Sequence, residues 1–223
     1  MKKPNKSSSP KRFVSSTKFM SSDLLFLLAR PYRAIVKRWG PTWLKSMVWH
    51  QEFKRGQFLH DLKSIGRSRI CNDIERYSNN GDILDLGCSD GHVGLGLELE
   101  KYNKYIGVDI SEIGIREAFE KCRLSGKERS EKNSFHVGDI SKYTPSSKFN
   151  VIMFKDSLYY INRLNIIKVL KRNQQYLMPN GVFIVEMDNI RRHEWIRDLI
   201  RTNFTVIEDN EETVKDFMVL IFR

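Results

Sequence analysis

Cysteine is scarce in this chain: Cys71, Cys88 and Cys122 are its whole complement. They are widely spaced, odd in number and form no CxxC or Cys/His cluster, so neither a disulfide scaffold nor a zinc site is expected and no metal is assigned. They read as the reduced thiols of a cytoplasmic protein. Long apolar runs are missing too. The run at residues 24–29 is far shorter than the roughly 20 residues a membrane-spanning helix needs. The polar stretch before it is long and Arg30-Pro31 follows at once, which argues against a secretory signal. Residues 1–22 lack acids altogether and are rich in Ser and Lys, which fits a disordered basic tail; an organelle transit peptide is the alternative, disfavoured because Lys outnumbers Arg.

The net charge of +11 is unevenly placed. Residues 1–80 hold 17 Lys and Arg against 5 acids, so the remaining chain is close to neutral. A basic extension on a neutral domain suits an acidic partner, nucleic acid or anionic lipid, or else is a solvated tail with Lys-rich helix faces. Residues 23–39 mix Leu24, Leu25, Leu28, Ile35 and Trp39 with Arg30, Arg33, Lys37 and Arg38, a composition fit for peripheral membrane contact. Pro31 interrupts that stretch, and a packed pair of short helices is the alternative.

Three segments follow from the punctuation: a tail at 1–22, a helical extension or lid at 23–80, and an α/β domain at 81–223. In the extension, Pro31 opens a helix that Gly40-Pro41 closes, and Thr42 is expected to cap the next. From residue 82 short β-rich runs alternate with amphipathic ones, the pattern of βαβ units around a parallel sheet. Strands are expected at 83–86, 105–108, 134–137, 150–154 and 182–186, and helices at 92–101, 113–124, 163–177 and 191–202. The last two strands, 204–208 and 217–222, have no helix between them and must pair antiparallel. The fold class is therefore α/β, a mostly parallel seven-stranded sheet closing on an antiparallel hairpin.

The densest signal is Asp85-Leu86-Gly87-Cys88-Ser89-Asp90-Gly91, a buried strand turning through glycines into a helix. Glycine lets the turn tighten and a ligand approach the backbone, while the helix start offers free N–H groups. Asp109 ends the second strand, where a carboxylate can accept from both ribose hydroxyls, with Ile110 beside it; Asp139 ends the third, where it can accept from an adenine amino group, with Ile140 over the ring. A solvated strand-end acid explains any one of these. Three at successive strand tips mark the edge where open α/β sheets bind ligands.

These residues resemble a family. Asp85 to Gly91 looks like motif I of the class I, Rossmann-like S-adenosylmethionine-dependent methyltransferases, Gly107-Val108-Asp109 like their second motif and Gly138-Asp139-Ile140 like their third. Ser89 departs from the commonest form, which has glycine. The resemblance implies S-adenosylmethionine as cofactor, with Asp85, Gly87, Cys88, Ser89 and Gly91 at its methionine end, Asp109 and Ile110 at the ribose, and Asp139 with Ile140 at the adenine. Upstream, Trp49-His50-Gln51-Glu52-Phe53-Lys54-Arg55-Gly56 is similar to a segment of methyltransferases acting on sugars and related polar metabolites, often of surface-polysaccharide pathways. By that likeness Arg69 lies near the methionine carboxylate and Trp49 on the site, plain helix packing being the alternative for the aromatics.

The loop 155–160 faces the methyl group in this fold and lacks the Asn/Asp-Pro-Pro-Tyr/Phe signature of methyltransferases acting on base amino groups or glutamine amides. Within it Asp156 is a candidate base, or else a helix N-cap, and Tyr160 a wall of the acceptor pocket. His50 and His193 are the candidate imidazole bases; His60 and His92 read as helix residues and His136 as a strand residue. The expected activity is methylation of O or N on a small polar acceptor, such as a sugar of a surface glycan. RNA methylation through the basic third, or a non-catalytic binding protein of the same fold, are the competing readings. The sequence carries no signal for oligomeric state.

Overall fold

The computed structural model describes residues 30–55 and 69–223. The expected tail, the apolar run 24–29 and the stretch 56–68, including Gly56 and His60, lie outside the described residues. Among the described residues three helices come first: α1 (Arg30–Trp39), α2 (Thr42–Lys54) and α3 (Arg69–Ser78). The alternating part then runs β1 (Ile83–Leu86), α4 (His92–Gly96), β2 (Tyr105–Asp109), α5 (Glu112–Leu124), α6 (Lys127–Lys132), β3 (Asn133–Val137), β4 (Phe149–Lys155), α7 (Ile166–Gln174), β5 (Leu177–Asp188), α8 (Ile190–Asn203), β6 (Val206–Glu212) and β7 (Phe217–Phe222).

The seven strands lie in the order β3-β2-β1-β4-β5-β7-β6, parallel except where β7 runs antiparallel to both neighbours. Both faces of the sheet are covered, which is why its strands read as nearly continuous apolar runs. Alternate residues divide between two cores. Leu84, Ile152, Phe154, Phe183 and Val185 meet Val169 and Leu170 of α7 and Ile196 and Ile200 of α8, while Ile83, Val151, Met153, Val182 and Ile184 meet Ile70, Cys71 and Ile74 of α3.

Five details depart from expectation. The strand expected at 204–208 lies at Val206–Glu212 and takes in the acidic residues. The helix expected at 92–101 stops at Gly96, because Leu97 turns extended and buries itself, and resumes only as a single 3-10 turn at Leu99–Lys101. Helix α6 is a further difference: it has no apolar face for periodicity to show, and it is tied to the body by Arg129, which donates to Gly94 O at 2.9 Å, and Lys132, which donates to Leu99 O at 2.6 Å. Residues 178–181 lie inside a longer β5 as an irregularity in its register with β4, where Phe149 opposes Leu177 but Val151 opposes Val182. Thr42 is the first residue of α2 and not its cap; Pro41 holds the cap position, and the Thr42 hydroxyl donates instead to Asp139 at 2.9 Å.

Candidate active site

The carboxyl ends of β1, β2, β4 and β5, with the loop after β3, converge on one cavity of about 380 Å³. Parallel pairing sets Asp85 beside Gly107 and Met153, and Asp109 beside Val137. The glycine loop is stitched to β2 by Gly87 and Cys88 N–H groups, which both donate to Val108 O, and by Ser89 N–H, which donates to Asp109 Oδ2 at 3.0 Å. Gly87 has φ +100°, and a Cβ there would sit 2.3 Å from Ser157 Cβ; Gly91 has φ +76° and would meet Phe135 at 2.8 Å. Both positions therefore require glycine for conformation and for space. Ser89 adopts φ +56° without being glycine. Asp90, fully buried, anchors the loop through Lys121 Nζ at 2.7 Å.

Asp85 is buried at 1% exposure; its Oδ2 accepts from the Tyr105 hydroxyl, while its Oδ1 has no partner among the described residues. Burial pushes its carboxyl up to about 6. Asp109 accepts backbone N–H bonds on both oxygens, from Ser89 and from Ser111 at 2.8 Å, yet burial still pushes it up to about 6. Burial also works to raise Asp139, but bonds from Ser141 and Thr42 outweigh it and hold the carboxyl below its ordinary value. A cavity bordered by the glycine loop, with a buried carboxylate oxygen lacking a donor and further accepting carboxylates along its lining, fits a ligand bearing an ammonium and vicinal hydroxyls.

Of the expected residues, Asp85, Gly87, Cys88, Ser89, Asp109, Ile110, Asp139, Ile140, Asp156 and Tyr160 line this cavity. Gly91 does not line it: it is the left-handed N-cap of α4, close against Phe135 and Ala118. Arg69 is a correction: its guanidinium is exposed, 3.5 Å from Glu212 and over the Phe217 ring, on the hairpin side of the sheet. His50 and His193 are also displaced from the cavity wall. His50 lies among Lys54, Glu112 and Arg116, and burial with the Lys54 charge lowers its pKa. His193 is 4% exposed, stacks on Tyr159 at 4.2 Å and points Nδ1 at Asp188 O, 2.6 Å away, so it supports the wall from behind.

Several cavity residues escaped the sequence reading. His92 lines the cavity despite being helical, because side chains tilt toward a helix N-terminus and His92 is the first residue of α4. Lys155 carries Asp156 on one side, at 2.9 Å, and Glu186 on the other. Burial acts to lower that ammonium, but the two carboxylates prevail and hold it well above the usual lysine range. Asp156 is fixed at φ +49°, with Oδ1 accepting from Asp188 N–H at 3.1 Å, so it is not a helix cap. From the roof, Trp49 of α2 meets Tyr160 edge to face at 4.7 Å, and Lys37 of α1 lies 3.9 Å over the Trp49 ring while pairing with buried Glu52. Burial pushes the Tyr160 phenol up to about 12.

Sheet order, reversed seventh strand and glycine loop define a Rossmann-like methyltransferase. Residues 77–217 match the family described as a methyltransferase domain, and the chain belongs to that family. It is an S-adenosylmethionine-dependent methyltransferase. Among solved structures, the glycopeptide N-methyltransferase MtfA complexed with sinefungin is similar at TM-score 0.61 and 12% identity, covering 71% of this chain and 86% of that one. A methyltransferase from Clostridium acetobutylicum ATCC 824 gives TM-score 0.59 at 16% identity over 82% and 99% of the two chains. The N-methyltransferase NodS from Bradyrhizobium japonicum WM9, complexed with S-adenosyl-L-homocysteine, gives 0.55 at 17% over 69% and 85%. Comparison with curated protein sequences finds no match.

Proposed function

We propose that this enzyme methylates the amine nitrogen of a small polar acceptor, with an amino sugar of a glycan as the best-fitting class. The observation that carries this reading is the composition of the cavity's far end: Asp156 and Asp188 beside the Trp49 and Tyr160 rings, beneath α1 and α2. Carboxylates attract and orient a protonated amine, and aromatic faces suit the apolar face of a sugar ring. Two structural relatives being N-methyltransferases by name supports the same choice. Roofing by α1 and α2, which we assign as the lid, favours a small acceptor over a folded RNA.

When bound, S-adenosylmethionine supplies a methyl group on sulfonium, and the leaving thioether is neutral. Asp85, Gly87, Cys88, Ser89 and Gly91 would hold its methionine end, Asp109 and Ile110 the ribose, and Asp139 with Ile140 the adenine. The remaining task is alignment and proton removal. Asp156, held rigid by Lys155 and the Asp188 N–H, accepts the acceptor's N–H and the proton it must lose. Tyr160 stays protonated near neutrality and contributes shape and a hydroxyl donor.

The test is a transfer assay with isotopically labelled methyl donor across amino sugars, neutral sugars and tRNA. Amino sugars should accept label, and Asp156→Asn should lower kcat/KM by roughly a hundredfold or more while S-adenosylhomocysteine binding is unchanged. Label on neutral sugars or tRNA alone would refute the amine reading.

A further inference from the structure

Helix α1 is turned against the usual rule. Tyr32, Ile35 and Trp39 fall at i, i+3 and i+7 on one face, and that face looks to solvent, with exposures of 60%, 56% and 56%. Trp43, just past the Gly40-Pro41 turn, extends the surface at 64%. Charged residues of α1 point inward instead. Lys37 pairs with buried Glu52 and lines the cavity, and Arg38 donates to Tyr159 O at 2.9 Å. Rotating the helix to bury its apolar stripe would strand the Lys37–Glu52 pair, so the orientation is set by the polar face. An amphipathic helix in a soluble fold normally does the reverse.

Charge indicates what meets the stripe. Leaving out the inward-turned Lys37 and Arg38, residues 1–33 hold eight Lys and Arg and a single acid, Asp23, and the apolar run 24–29 directly precedes α1 in the sequence. Tryptophan and tyrosine beside an aliphatic residue, joined in sequence to dense positive charge, match the chemistry of a bilayer interface, where amphipathic rings settle at headgroup depth and cations meet anionic lipid.

We propose that α1 and the start of α2 form a docking surface for an anionic membrane, with Tyr32, Ile35, Trp39 and Trp43 entering the interface and the positive charge of the N-terminal sequence selecting anionic headgroups. This is independent of the acceptor, and none of the four side chains lines the main cavity.

Co-sedimentation of the full chain with phosphatidylcholine vesicles, and with vesicles containing phosphatidylglycerol, tests it. The chain should sediment with the anionic vesicles only, less so as salt rises. Replacing Ile35 and Trp39 by Glu should weaken that partitioning roughly tenfold or more while S-adenosylhomocysteine binding persists, which shows the variant is folded. On the unmodified chain, brominated lipid in the anionic vesicles should quench tryptophan fluorescence, a readout that needs no variant. The proposal fails if the chain ignores anionic vesicles at low salt, if the double variant binds them as well as the parent, or if tryptophan emission is unquenched. It fails equally if light scattering shows the stripe joining two copies that then bind no vesicle, or if tRNA displaces the vesicles at equal phosphate.

Discussion

Asp85 and Asp109 owe their behaviour to position more than to identity. A strand-tip carboxylate in water ionises near pH 4, but both are held near 6 by burial. A carboxyl raised on folding stabilises the ligand-free fold while protonated, and that contribution is lost as pH climbs from about 4 to about 6. Ligand donors need the ionised form, so binding runs the other way. Calorimetric titration should show S-adenosylhomocysteine affinity level above about pH 6.5 and falling below about 6 by roughly tenfold per pH unit for each ionised carboxylate required. Asp109→Ala should weaken binding and flatten this dependence. A profile that stays level through the window would remove Asp109 from the ribose site. At the same scale, His92 shows a limit of pattern reading: counting it as helical was right, and its place at the first turn is what turns it to the cavity.

Among elements, the terminal hairpin illustrates how a feature of the pattern becomes a structural part. Two strands with no helix between them had to pair, and β7 inserts between β5 and β6, leaving β6 at the edge. Its register with α8 is set by charges that no periodicity announces. Arg197, 11% exposed at its side chain, meets Asp209 at 2.7 Å and Glu211 at 2.8 Å, whereas Arg201, which shares Asp209, is 46% exposed. Removing Arg197 leaves Asp209, 15% exposed at its side chain, with only the half-exposed Arg201 as partner, so Arg197→Ala should cost about 2 kcal/mol. Arg201→Ala should cost under about 1 kcal/mol, as a largely exposed pair does. Urea unfolding of the two variants compares them, and equal midpoints would show that the bond to β6 contributes nothing.

On the whole-molecule scale, the cavity draws on four strands of the sheet, the loop after β3 and the two N-terminal helices, so a ligand there ties them together. S-Adenosylhomocysteine at about 100 times its Kd should add about 2.7 kcal/mol and raise Tm by roughly 5–10 °C. NAD at equal concentration should leave it unmoved. A shift with NAD and none with the nucleoside thioether would contradict the cofactor assignment.

The chain alone determined the strand succession, the glycine loop and the three acids at successive tips, because these depend on alternation, on positions where only glycine fits, and on spacing within one βαβ unit. The tertiary structure decided what depends on neighbours distant in sequence: Arg69 turned to Glu212, His50 and His193 drawn off the cavity, and Lys155 clasped between Asp156 and Glu186. It decided also that α1 turns its charges inward. A helix pattern gives the two faces but not which one meets the protein, and here a buried ion pair across fifteen residues makes that choice.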